Sequence, residues 1–220
     1  MILQSLRLSL LVVSITTVVI AVAGTAFAYL LAKRRFRGRE MLDALLTLPM
    51  VLPPTVTGYY LILLLGRRGV LGEPLYALTG WTVTFTWVAA VIASTVVALP
   101  LMIKSARAAI ESVDPEYETA SLLMGKSEIE TFFRITIPLA SKGILAGVIL
   151  SFARAFGEFG ATLMLAGNIP GETQTMPLAI YEAVAGGEDA TARWLALILT
   201  GISVTVVYLT NRLSRPTPGR

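Results

Sequence analysis

The 220-residue chain contains no cysteine and no histidine. Those two absences exclude a disulfide framework, a thiolate or imidazole metal site, and any Ser-His or Cys-His catalytic pair. Charge is scarce as well: Asp, Glu, Lys and Arg make up 15% of the residues against 55% hydrophobic ones, and the mean hydropathy is +0.74. A soluble globule of this size needs more charged surface than that, so the composition is that of a membrane protein. The formal charge of +4 does not point to nucleic acid, because the basic residues flank long apolar runs and form no stripe with interleaved aromatics. Contact with membrane lipid accounts for them.

A hydrocarbon core about 30 Å thick takes about 20 apolar residues as a helix. Five segments approach or exceed that length, 8–32, 44–66, 82–103, 143–165 and 194–211. The expected fold is therefore an all-α integral membrane protein with about five transmembrane helices, forming one domain over 1–220. If the N-terminus is outside, the cytoplasmic side holds five basic residues in 33–39, five in 104–142 and three from Arg212 onward. Arg7, Arg67, Arg68 and Arg193 then lie outside and Arg154 within a span, an asymmetry that predicts an N-out, C-in topology. The first apolar run is too long for a signal peptide, and its basic cluster "KRRFRGR" follows it, which predicts a retained anchor. The segment 172–187 reads equally as a short re-entrant helix or as an outer loop.

The inner loop 104–138 contains Gly125-Lys126-Ser127, the ending of a nucleotide-binding P-loop. That motif requires an earlier glycine five residues before Gly125, after a buried strand, so that backbone N–H groups can wrap phosphates. Ala120 stands there instead, and a helix precedes the tripeptide. Asp114-Pro115 fits an N-cap followed by proline at the first helical position, with Glu116 and Glu118 in the first turn where the helix dipole favours anions. A helix from about Pro115 to Met124, a left-handed turn at Gly125 and a second short helix capped by Ser127 are expected.

The stretch "ETASLLMGKSEIETFFRITIPLA" resembles the signature cytoplasmic loop of the permease subunits of ABC importers: E-A-A, three residues, G, nine residues, I-x-L-P. Gly125 is followed by nine residues and then Ile135-Thr136-Ile137-Pro138. The first half departs, with Thr119, Ala120 and Ser121 in place of E-A-A and the acidic residue one place early at Glu118. The stretches "LAKRRFRGRE", "LPMVLPPTVTGYYLILLLGRRGVLGE", "SFARAFGEFGATL" and "NIPGETQTMPLAIY" extend the resemblance over nearly the whole chain and narrow it to the molybdate branch, with tungstate, sulfate or thiosulfate as alternative cargoes. The resemblance implies a type I importer fold and a homodimer of permeases. It also implies two ATP-binding cassette subunits that hold the ATP and magnesium, and a periplasmic or lipid-anchored oxyanion-binding protein. The chain itself is then a plasma-membrane transport subunit, not an enzyme, and binds no cofactor. Its loop is a coupling helix, with Tyr117, Ala120 and Met124 as the apolar docking face.

In the second span, Pro53 and Pro54 remove backbone donors, which is tolerated at membrane depth only where protein or water satisfies the freed carbonyls. Thr55, Thr57 and Gly58 beside them are candidates for the translocation pathway, the bland alternative being a packing kink. Gly143, Gly147, Ser151 and Ala155 place a small residue at every fourth position for close helix packing. Arg154 and Glu158, four apart, are within reach of each other. They read as a structural and gating pair, as a direct anion contact, or as side chains snorkelling to the lipid edge. A secondary transporter or channel using them as an ion relay is the rival function, disfavoured by five spans without inverted halves.

Because the tripeptide lacks the fold of a phosphate cradle, Lys126→Ala and Ser127→Ala are expected to leave the nucleotide affinity of the assembled complex unchanged. A photoreactive ATP analogue should label the ATPase subunit alone. Labelling of this chain that disappears in the Lys126 variant would refute this reading.

Overall fold

The computed structural model describes residues 2–213; the tail from 214 onward, whose basic residues entered the orientation argument, lies outside them. The chain runs through α1 (Ile2–Lys33), α2 (Arg39–Val51), α3 (Pro54–Leu65), α4 (Gly72–Thr79), α5 (Trp87–Glu111), α6 (Pro115–Leu123), α7 (Glu128–Thr131), a π-helical turn (Phe132–Thr136), α8 (Ile137–Phe156), α9 (Gly160–Ala166), α10 (Met176–Ala185) and α11 (Asp189–Leu213). No strand occurs among the described residues. Among the described residues, four helical stretches are long and apolar enough to cross a membrane, Ile2–Lys33, Trp87–Glu111, Glu128–Phe156 and Asp189–Tyr208.

The expected second and fourth spans are both interrupted. Leu52, held extended by the following proline (φ −74°, ψ 143°), separates α2 from α3, and Pro54 opens α3 at a position where no N–H is needed. The apolar run expected as one span over 143–165 instead ends its helix at Phe156, with Gly157 as C-cap, and resumes as α9. The third span starts later than expected, at Trp87, because Thr86 caps it by accepting a hydrogen bond from the Ala89 N–H (3.2 Å). It also continues past Ile103, where charged residues begin to find partners on α2. The segment left open between helix and loop forms α10, whose first amide, Met176 N–H, donates to Ser9 Oγ on α1 (2.7 Å).

The core sits where α1, α5 and α8 pack together. Val13, Ile20 and Ala28 of α1 meet Ala98, Met102 and Ala106 of α5, and Ala140, Ala155 and Phe156 of α8 complete the cluster. Lipid tails are as apolar as these side chains, so close van der Waals packing, not escape from water, holds the helices together. Small residues make the approach possible. A Cβ placed on Gly143 would fall 2.4 Å from the Ala109 Cβ, and one placed on Gly24 would fall 2.5 Å from Met102 Cγ. Next to the Gly143 contact, Ser105 Oγ donates to the Gly143 carbonyl (2.9 Å) and fixes the α5–α8 register.

Gly143→Ala is expected to destabilise the chain by about 1 to 3 kcal/mol through overpacking. Ala109→Gly removes the atom it strikes, so the double variant should be more stable than Gly143→Ala alone, despite the cost of about 1 kcal/mol for a new helical glycine. Thermal unfolding in detergent measures this; a double variant less stable than both singles would show that the two helices do not touch there.

Candidate functional site

The two helix breaks lie against each other. A Cβ on Gly160, at the start of α9, would sit 3.1 Å from Pro54 Cβ and 3.3 Å from the Thr55 backbone nitrogen. One turn further along α3, a Cβ on Gly58 would sit 2.6 Å from Met164 Cβ and 2.9 Å from Ala161 Cα. The α2–α3 break therefore nests on the α8–α9 break, and glycine at 58 and 160 is what lets the two backbones come so close. Pro53 and Thr55 remain exposed and Pro54 half-buried, whereas Thr57 and Gly58 are buried. Within this chain, Gly58 packs against α9, and the neighbouring Thr57 is buried with its hydroxyl donating to the Pro53 carbonyl.

Arg154 and Glu158 meet, but not along one helix. Arg154 lies in the last turn of α8, where the helix dipole favours a cation. Glu158 lies beyond the helix end, and its Oε2 is 2.6 Å from Arg154 Nη1, close enough for an ion pair but without the alignment of a hydrogen bond. Its other oxygen, Oε1, accepts from the Ala161 N–H (2.8 Å) and so caps the first turn of α9. The carboxylate thus bridges both sides of the break. Its side chain is 1% exposed and that of Arg154 33% exposed, so the carboxylate is enclosed while the guanidinium still reaches the surface of the subunit.

Beyond the break, sequence reading missed a polar layer. Thr173, Gln174 and Thr175 are buried just before α10. Glu182 on α10 accepts from Asn168 Nδ2 (2.8 Å) and from Gln174 Nε2, and Tyr181 lies against the Phe159 ring with centroids 5.2 Å apart. The signal available was a run of three uncharged polar residues directly ahead of a Met-Pro helix start.

At the opposite, basic end of the bundle, α6 has the expected form. Asp114 accepts from the Glu116 N–H (2.9 Å), Gly125 takes φ +81°, and Ser127 accepts from the Glu130 N–H (3.1 Å). The helix closes at Leu123, with Met124 as its C-cap. Tyr117, Ala120 and Met124 are exposed, and Leu123, not singled out in the sequence, is the most exposed of the group at 84%. Ile135 is half-buried in the π-helical turn and Pro138 exposed in the first turn of α8. The turn is wide because the Ile137 N–H bonds to the Phe132 carbonyl, five residues back, and Pro138, which has no N–H, follows it. Lys126 pairs with Glu130 (3.0 Å) as an ordinary partly exposed ion pair. Nearby, burial alone would raise the Asp43 carboxyl pKa, but hydrogen bonds and charge from Lys104 and Arg107 outweigh it and hold Asp43 below the usual carboxylate range.

Comparison with known proteins gives a match over residues 6–216 to the family described as "Binding-protein-dependent transport system inner membrane component". The chain belongs to this family. It is 43% identical over 221 residues to the molybdenum transport system permease protein ModB of Escherichia coli (strain K12), covering 99% of this chain and 96% of that protein. The sulfate transport system permease protein CysT of Salmonella typhimurium is further away, at 32% over 207 residues, or 94% of this chain and 74% of that one. Among solved structures, a chain of the bacterial alginate ABC transporter in complex with an alginate pentasaccharide-bound periplasmic protein superposes with a TM-score of 0.78 at 16% identity, covering 97% of this chain and 78% of that one. A likeness at that identity speaks to the fold alone, which is that of the type I importer permeases. As a member of this family the chain is a multi-pass inner-membrane transport component, not an enzyme.

Breaking a buried ion pair by removing one partner costs about 3 to 5 kcal/mol when both are enclosed, and less here, since Arg154 remains 33% exposed. Arg154→Met should therefore destabilise the chain more than the double variant with Glu158→Gln, with a coupling above about 0.5 kcal/mol. Glu158→Ala, which also removes the cap, should be worse than Glu158→Gln by about 1 kcal/mol. Strictly additive losses in a thermal double-mutant cycle would show that the two side chains act independently.

Proposed function

We propose that this chain is the membrane-spanning permease subunit of an ATP-driven molybdate importer. It works as a homodimer in the lipid bilayer, with two ATP-binding cassette subunits at its basic, cytoplasmic end and a periplasmic or lipid-anchored oxyanion-binding protein outside. The observation that carries the reading is α6, a capped helix outside the spans that presents Tyr117, Leu123 and Met124 to solvent. Exposed apolar side chains on a short rigid helix match a groove on a partner protein. The acidic first turn, Asp114, Glu116 and Glu118, argues against lipid as that partner at an anionic surface. Molybdate is favoured over sulfate because the molybdenum permease is 43% identical and the sulfate permease 32%.

In this reading ATP and its magnesium are bound by the cassette subunits. Closure of those subunits moves α6, and the bundle relays the movement to the two nested breaks. Pro53, Pro54 and Thr55 with Arg154 and Glu158 then form the gate region, and Gly58 holds α9 to it. The Arg154–Glu158 pair fastens the gate, and the cargo does not depend on a tight arginine contact, since a permease that held its anion firmly would not release it.

The test is uptake of molybdate into proteoliposomes holding this chain with the cassette and binding proteins of its transport system. Uptake should require ATP and the binding protein; uptake by this chain alone would favour an ion-driven transporter. In the same assay Gly125→Val should leave assembly intact and strongly reduce binding-protein-stimulated ATP hydrolysis. At φ +81° with no atom within 4 Å of an added Cβ, the penalty is backbone strain alone, about 1 to 2 kcal/mol for an ordinary L-residue. Gly125→Asn, which tolerates that conformation better, should retain more stimulation than Gly125→Val. Normal stimulation in the valine variant would refute the role given to this turn.

A further inference from the structure

Beside the local set of Lys126 and Arg134 on Glu130, two groups of charged side chains at the basic end tie separate elements together. In the first, Asp43 of α2 takes Lys104 (3.0 Å) and Arg107 (2.8 Å) of α5, while Glu111 takes Arg107 (2.8 Å) and, loosely, Arg39 (3.7 Å). In the second, Lys33 Nζ at the end of α1 is 2.7 Å from Glu118 Oε2 on α6, and Thr136 Oγ1 in the π-helical turn donates to Glu118 Oε1 (2.6 Å). Arg34, the next residue of the chain, pairs with Glu128 of α7. Among the described residues no ion pair or side-chain hydrogen bond joins the two groups, nor α6 to α5, from which α6 is separated only by the turn Ser112–Asp114.

Further contacts stiffen the second group. Ser121 and Thr131 share a buried hydrogen bond between α6 and α7 (2.8 Å), and Tyr29 of α1 meets the Phe132 ring edge-on at 4.5 Å. Thr136 is 1% exposed, and the Lys33 and Glu118 side chains are 21% and 17% exposed. Both Glu118 oxygens are therefore used, each by a different element, in a setting that shields the charges from most of the solvent. The acidic residue that stands one place early relative to the motif explains how. One residue along an α-helix is a rotation of about 100°, enough to turn the carboxylate away from exposed Thr119 and toward α1 and the π-helical turn.

We propose that Lys33 and Glu118 are positioning residues that make the end of α1, α6, α7 and the π-helical turn one rigid unit. Force applied to α6 is then delivered to α1 as well as to α8. This rests on the coupling role given to α6 above.

The experiment uses the assembled transporter in proteoliposomes and reads molybdate moved per ATP hydrolysed, together with binding-protein stimulation. Lys33→Glu and Glu118→Lys should each lower stimulation at least about fivefold, the lower end for a coupling between sites, with the complex still assembled. The exchanged pair, Lys33→Glu with Glu118→Lys, should recover most of it; unchanged singles, or an exchanged pair no better than the worse single, overturns the proposal. Because the chain has no cysteine, Lys33→Cys with Glu118→Cys supplies its only thiols, and bridging them with a flexible bis-methanethiosulfonate, which forms a disulfide to each thiol and releases two sulfinates, should restore transport. Transport lost on bridging and regained on reduction would mean that the two residues separate during the cycle, and would likewise overturn it. If the wild-type complex shows no ATP-dependent uptake, the functional reading fails by itself. The strap is then judged on the isolated chain in nanodiscs, where the exchanged pair must recover the melting temperature lost in the singles, and additive losses overturn it.

Discussion

Hydrocarbon offers no hydrogen bonds, so every interruption of a membrane helix must find substitutes for the backbone partners it loses. The rest of this molecule is arranged around that constraint. Its two breaks, at Leu52–Pro53 and Gly157–Phe159, are placed side by side: Gly160 admits the Pro54 ring and the Thr55 backbone, and Gly58 admits α9. Glu158 supplies a partner for the Ala161 amide at the start of α9, and Arg154, sited at the negative end of α8, makes the enclosed carboxylate tolerable. Irregular backbone at this depth gives a point where helices can tilt without unravelling.

At the other end the problem is the reverse. There the helices emerge among charged side chains in a more polar setting, where isolated surface ion pairs contribute little to stability. What counts is which elements the pairs join. Asp43 gathers α2 and α5; Glu118 gathers α1, α6 and the π-helical turn. Both carboxylates commit both oxygens, but the Glu118 pair joins three elements where Asp43 joins two, and it is reinforced by Ser121–Thr131 and Tyr29–Phe132.

Much of the architecture was legible because the physics behind it is local. Long uncharged runs specify membrane helices, and Asp114-Pro115, Gly125 and Ser127 specify the ends of α6 and α7 through caps and a left-handed turn that depend on neighbouring residues only. The prolines at 53 and 54 likewise announced a break. The break after Phe156 was not legible, because an apolar run with Arg154 and Glu158 four apart reads equally well as one continuous helix. Nothing in that segment shows that Glu158 will find a better partner in the Ala161 amide than in another turn of α8. The buried polar run 173–175 was passed over for a related reason: such residues are ordinary in loops, and only their enclosure makes them informative.

The sequence by itself determined that this is a helical membrane protein with a capped helix at its basic end, because composition, span length and capping are settled by residues close together in the chain. Only the tertiary structure decided that the two breaks meet, that Glu158 bridges one of them, and that Glu118 reaches Lys33. The meeting of the breaks and the Glu118–Lys33 pair join residues separated by tens of positions, and the short-range Glu158 bridge crosses a helix end; all depend on burial or on backbone approach at glycine, neither of which exists until the helices have packed.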